Sequence, residues 1–215
     1  MQFKDFQEQL SKIGKLSLPG ESAQYEMAPL ERLREINETD IEKRNPRWAG
    51  VLALFYPSLS REAKLALILR KTYKGVHSNQ VGFPGGKAEI YDKGLEETAL
   101  RETQEEIGVN KEEITVLKQM TKIYIPPSNF WVQPFIGFTT NTPQFIKEDA
   151  EVEAIIEVNV TDFLSKNSVI TQKITTSYAD LPDVPAFKLN NYVVWGATAM
   201  MLNEIKSLLL EAHDL

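Results

Sequence analysis

One stretch constrains this chain more than any other: Gly85-Gly86-Lys87-Ala88-Glu89, then Asp92, then Arg101-Glu102-Thr103-Gln104-Glu105-Glu106-Ile107-Gly108-Val109. The spacing predicts a helix over Leu95 to Ile107, and Gly108 stands where a glycine closes a helix. Residues three and four apart share a helix face. Glu102, Glu105 and Glu106 then project within an arc of about 100°. Ala99, Leu100, Thr103 and Ile107 hold the adjoining arc, which suits packing on a sheet. Like charges at this spacing cost roughly 0.2–0.5 kcal/mol per pair even when exposed. Held beside a core they cost more unless something neutralises them. Three glutamates alone are usually a solvated face; joined to the Gly-Gly turn and Asp92, they point to an oxygen-only site for a hard cation, Mg²⁺ or Mn²⁺. Such an ion can hold phosphate oxygens and acidify a bound water. Arg101 is placed to pair with Glu97, one turn earlier. The Gly-Gly turn lets backbone approach closely, which suits a carbonyl ligand or a phosphate contact.

The flanking elements are consistent with a sheet for that helix. Phe3, Phe6, Leu10 and Ile13 predict an N-terminal helix ended by Pro19-Gly20. A polar connector, Gly20 to Ala28, and a short helix around Leu30 to Ile36 follow. Trp48–Tyr56 and Leu65–Leu69 read as core strands, and Ile114–Ile125 and Val132–Phe138 as a pair joined by Pro126-Pro127-Ser128-Asn129. Ala154–Val160 is a further strand, preceded by Glu148-Asp149-Ala150-Glu151. A last helix spans Gly196 to Ala212, with an apolar stripe from Met200 to Leu209 that suits a core or a homodimer surface. Strands and helices interleave, so the class is α/β (α+β) with a mixed sheet. Residues 1–45 read as a helical extension packing on a catalytic domain over 46–215.

Composition removes several function classes. There is no cysteine, which excludes disulfides, zinc-thiolate sites and a cysteine nucleophile. The net charge is −6, from 24 basic and 30 acidic residues, so no broad field attracts nucleic acid or anionic lipid. No apolar run approaches the roughly 18 residues of a membrane helix. The chain reads as cytoplasmic, with a sizeable core.

Gly86, Asp92 and Arg101-Glu102-Thr103-Gln104-Glu105-Glu106-Ile107-Gly108-Val109 together resemble the signature box of the Nudix hydrolases, which use Mg²⁺ or Mn²⁺ to split a nucleoside diphosphate linked to another moiety. One residue more than the general box separates the acidic position from Arg101, and that acid is Asp92 rather than Glu. This departure, with Leu69-Arg70-Lys71, His77-Ser78-Asn79-Gln80-Val81-Gly82-Phe83-Pro84-Gly85-Gly86-Lys87, Val184-Pro185-Ala186-Phe187 and Val194-Trp195-Gly196-Ala197-Thr198-Ala199, is similar to the coenzyme A pyrophosphatase branch. The resemblance implies a Nudix α/β/α sandwich and hydrolysis of CoA, or a derivative, to 3′,5′-ADP and 4′-phosphopantetheine. It implies Glu102, Glu105 and Glu106 as metal ligands, with a Gly85 carbonyl beside them, and Arg101 orienting the cluster. Asp92 would brace the loop. The general base is Glu151 or a box glutamate such as Glu106. Arg70, Lys71, Lys74 and His77 are candidates for the 3′-phosphate of CoA, with Gly85, Gly86 and Lys87 beside them. Phe130 and Trp131 would stack on adenine or pack within a hairpin, and Trp195 reads as core or interface. Rival readings are another nucleotide substrate, such as ADP-ribose, NADH or a dinucleoside polyphosphate, or a non-catalytic nucleotide sensor.

Overall fold

The computed structural model describes residues 1–29, 32–33, 40–71, 80–175 and 180–214. The short helix expected around Leu30 to Ile36 lies largely outside them. A mixed sheet runs in the order β3-β2-β1-β7-β5, with β8 also on β2, β4 also on β1 and β6 also on β7. Its strands are β1 (Arg47–Pro57), β2 (Ala63–Arg70), β3 (Val81–Gly82), β4 (Gly85–Lys87), β5 (Thr115–Gln119), β6 (Ile123–Ile125), β7 (Phe130–Phe138) and β8 (Val152–Asn159). β1 and β7 are parallel and the other pairs antiparallel.

β1 is apolar almost throughout because both of its faces are covered. Ala49, Val51, Ala53 and Phe55 join one core, which contains the N-terminal helix (Phe3–Ile13) and the C-terminal helix (Gly196–His213). Leu52, Leu54 and Tyr56 face the other way, onto Ala99 and Ile107 of the acidic helix (Leu95–Ile107). The result is an α/β/α sandwich, as the sequence implied.

The N-terminal helix buries Phe3, Phe6, Leu10 and Ile13. At roughly 1.5–3 kcal/mol per buried large side chain, this segment is tied firmly to the core. The connector after it is more than a polar link. Gly20–Tyr25 is helical, and Gln24 Nε2 donates to the buried Glu204 of the C-terminal helix at 2.9 Å. Thr121 Oγ1 donates to the same carboxylate at 2.6 Å. The Met200–Leu209 stripe is buried in the chain's own core, so it is not a free dimer surface.

Five strands were not foreseen: the short β3 and β4, and β9 (Val169–Thr175), β10 (Asp180–Leu189) and β11 (Tyr192–Trp195), the last three a separate antiparallel sheet in the order β11-β10-β9; the single strand expected over Ile114–Ile125 is divided into β5 and β6. β11 leads directly into the C-terminal helix.

Candidate active site

Two close backbone approaches assemble the site. β4 pairs with β1 so that Gly85 faces Val51 and Gly86 faces Gly50. On the other side of Gly50 lies the start of the acidic helix; a Cβ there would stand 2.2 Å from the Leu95 carbonyl oxygen. The helix then runs past the Gly-Gly turn. Its acidic first turn, Glu96 and Glu97, complements the helix dipole. Gly108 ends it at φ 75°, its N–H donating to Gln104 O at 2.9 Å.

The three box glutamates meet different surroundings. Glu106 is 2% exposed. Its Oε2 accepts the Gly85 N–H at 2.8 Å. Its Oε1 accepts no hydrogen bond and lies 3.3 Å from Arg70 Nη1. Burial pushes the Glu106 carboxyl up to about 7; Arg70 and the Gly85 N–H oppose this, while Glu102 and Glu151 add to it. Glu102 is partly buried and also raised, by burial first, with Arg101 opposing. Glu105 is 57% exposed.

Arg101 does not pair with Glu97. Its Nε donates to Asp92 at 2.9 Å, and its Nη1 donates to Glu102 at 2.8 Å and to Glu105 at 3.0 Å. Glu97 instead accepts the Lys93 N–H at 2.9 Å and lies 3.7 Å from Lys111 Nζ. Asp92 explains the preference: it sits buried in the loop ahead of the helix, where it also accepts from Thr98 Oγ1 and the Glu89 N–H. The Arg101 hydrogen bond holds the Asp92 carboxyl well below the usual carboxylate range. The bracing role expected of Asp92 is what the geometry displays.

A pH prediction follows from that pair. Because the folded state lowers the Asp92 pKa, the pair stabilises the fold at pH values above the free carboxyl's ~4. That contribution is lost as pH falls below ~4. Asp92→Asn should therefore lower Tm at pH 7 by about 6–12 °C, for a loss of about 3 kcal/mol. Wild type and variant should converge in acid, as measured by thermal melts at several pH values.

The other candidates divide. Arg70 is committed to the box: besides Glu106, its Nη2 donates to Gly85 O at 2.8 Å. The Gly85 carbonyl expected at a metal is therefore already an acceptor. Lys71 contributes its backbone, donating to Glu151 O at 2.8 Å. Glu151 is exposed, and its charge reaches both Glu102 and Glu106. Lys74 and His77 lie outside the described residues. Trp131 does not reach the cavity but stacks on Trp48, with ring centroids 6.1 Å apart.

Beside the Gly-Gly turn opens a cavity of about 270 Å³. Among the described residues, Arg32, Arg70 and Lys87 are its charged lining, and Phe83, Phe130 and Trp195 its aromatic lining. Thr198 and Met201 of the C-terminal helix close one wall. Met201 is therefore a cavity residue as well as a core residue, whereas Trp195 is half-buried at the cavity and belongs to neither core cluster. Arg32 had no signal in the sequence, since it stands in a segment with no motif.

The family model of the NUDIX domain matches residues 46–177, more than half of the chain. The chain belongs to the Nudix family. This Nudix hydrolase is 26% identical over 174 residues to a Caenorhabditis elegans protein named peroxisomal coenzyme A diphosphatase ndx-8, covering 80% of this chain and 73% of that one. It is 29% identical over 154 residues to an uncharacterized Nudix hydrolase, NudL, of Yersinia pestis, covering 71% and 76%. Among solved structures, the MutT/nudix family protein from Enterococcus faecalis superposes with a TM-score of 0.52 at 18% identity, over 91% of this Nudix chain and 76% of that one. That likeness concerns the fold. No helix among the described residues is long and apolar enough to cross a membrane.

Proposed function

We propose that this Nudix hydrolase cleaves the pyrophosphate of coenzyme A or a CoA derivative, giving 3′,5′-ADP and 4′-phosphopantetheine or its acyl form. The observation that carries the reading is the relative named as a CoA diphosphatase, whose similarity extends over 80% of the chain and so beyond the matched NUDIX domain. A cavity with arginine, lysine and aromatic lining beside the box turn supports it.

Among the described residues, no three acidic or histidine side chains are already gathered around one point as a metal site; Arg101 Nη1 holds Glu102 and Glu105. The residues nonetheless suit a divalent cation. The donors are all carboxylate oxygens, and the buried Glu106 Oε1 accepts no hydrogen bond. The Glu102 carboxylate occupies the space a side chain on Gly86 would fill. Glu102, Glu105 and Glu106 would hold Mg²⁺ or Mn²⁺, which supplies positive charge to the pyrophosphate oxygens and activates water. Arg101 holds the carboxylates in order, Arg70 keeps Glu106 aligned with the turn, and Glu151 takes the proton of the attacking water. The described part of residues 1–45 braces the catalytic domain, and cytoplasmic residence is part of this reading.

Chromatography of products from CoA, acetyl-CoA, ADP-ribose, NADH and diadenosine polyphosphates, with each metal, tests the reading. The expected result is 3′,5′-ADP from CoA, formed faster than any other product. Faster turnover of another compound would keep the chemistry and discard CoA.

A further inference from the structure

We propose that Arg32 is a specificity residue that binds a phosphomonoester on the ribose of the substrate, so that the cavity takes the nucleotide half of CoA and not the pantetheine arm. The inference rests on the CoA reading and deepens it.

Arg32 lies ahead of the matched NUDIX domain, yet it lines the same cavity as the Gly-Gly turn. Its Nη2 donates to the Tyr124 carbonyl at 2.6 Å, which fixes the guanidinium on β6 at the cavity wall. Two further cations among the described lining residues, Arg70 and Lys87, belong to the turn itself: Arg70 Nη2 donates to the Gly85 carbonyl, and Lys87 ends β4. Both stand at the turn, where the pyrophosphate would be held. Arg32 comes instead from the N-terminal segment, and the aromatic lining is Phe83, Phe130 and Trp195.

The two halves of CoA differ in the chemistry that would meet such a wall. The pantetheine arm is an uncharged chain of amides, which offers a guanidinium carbonyl acceptors but no negative charge. The adenosine half carries a flat base and a 3′-phosphate dianion. A planar guanidinium matches phosphate oxygens in geometry and charge, and aromatic rings match a base. Arg32 and the aromatic rings therefore select the same half of the molecule. Trp195 and Met201, which like Arg32 lie outside the matched domain, complete that wall.

The test uses the full chain carrying Arg32→Gln, which keeps a donor for the Tyr124 carbonyl and removes the charge. Arg32→Lys, which restores a charge, is the rescue variant, and thermal melts confirm that both fold. The KM for CoA should rise roughly ten- to hundredfold in Arg32→Gln, the worth of one charge-assisted hydrogen bond. The KM for dephospho-CoA should stay where it is, kcat should change little, and Arg32→Lys should recover part of the loss. A parallel calorimetric titration compares 3′,5′-ADP with 5′-AMP. Wild type should prefer 3′,5′-ADP, and Arg32→Gln should lose that preference. Equal effects on CoA and dephospho-CoA, or no effect on either, would overturn the assignment. If wild type fails to turn over CoA, the CoA reading falls. The phosphomonoester site then stands on the preference for 3′,5′-ADP and its loss in Arg32→Gln, and falls if wild type shows no preference.

Discussion

Glu106→Gln should reduce turnover by about 10²–10³-fold or more while the protein still folds. Glu106 is the one box glutamate fully enclosed between the acidic helix and the Gly-Gly turn. Glutamine has nearly the same volume, and its side-chain carbonyl can still accept the Gly85 N–H. The shape of the site is therefore preserved. What changes is the atom that now accepts no hydrogen bond. Its replacement, an amide NH₂, cannot ligate a cation and is presented to Arg70, donor against donor. The carboxyl's upward shift to about 7 has burial as its main cause, so neutralising the group should cost the fold little. The measurement is kcat alongside a thermal melt. A variant with near-normal kcat and an unchanged melt would remove Glu106 from the metal site. A variant that loses both fold and activity would make Glu106 a structural residue. Glu105 offers a contrast, because it is mostly exposed and its contact is with Arg101. Loss of activity in Glu105→Gln should therefore come with no change in Tm.

The parts of this fold legible in the sequence are those in which local pattern and tertiary role agree. The acidic helix is delimited by its own spacing and by Gly108, whose left-handed conformation is a local requirement. β1 shows as a continuous apolar run because both faces are buried. β9 and β10 escaped notice for the opposite reason. β9 carries Thr171, Gln172 and Lys173 within one short strand, and β10 contains Pro182 and Pro185. Proline weakens a strand signal, and the Pro185 position is tolerated beside a register shift in the β9–β10 pairing. Arg101 was misassigned because helical spacing finds Glu97, whereas the winning partner, Asp92, lies before the helix and is reached only by the fold of the loop. The contribution of Arg32 and Trp195 to the cavity depends on how the terminal segments return to the sheet. Spacing along the chain carries no record of that. Gly50 is a similar case: in a strand it reads as a weak point, yet it is the place where a helix rests on β1.

Adjacent glycines in the box turn should respond in opposite ways to the same added methyl group. Gly85→Ala should cost about 3–5 kcal/mol of stability. Its Cβ would stand 2.4 Å from the Gly50 carbonyl oxygen and 2.6 Å from the Val51 Cα, backbone of the central strand that has no room to retreat. Its φ of 143° adds a conformation that a residue with a Cβ rarely adopts. The β1–β4 pairing has to open to accommodate it, and the Gly85 N–H then leaves Glu106. Gly86→Ala meets something softer. Its Cβ would stand 2.4 Å from the Glu102 carboxyl carbon, the far end of a flexible side chain that can swing away. The fold should keep its stability within about 0.5 kcal/mol of wild type, a Tm shift of about 1–2 °C. Activity should nevertheless fall by about 10²-fold or more, because Glu102 can no longer stand where the box places it. Thermal melts and initial rates on the two variants decide the matter. If Gly86→Ala melts normally and retains full activity, the position of the Glu102 carboxylate against the turn is not what the chemistry needs. If Gly85→Ala melts like wild type, the close approach of β4 to β1 is looser than its geometry requires. The contrast between them is the sharper result, since one methyl group moved by one residue should separate what holds the site together from what the site does.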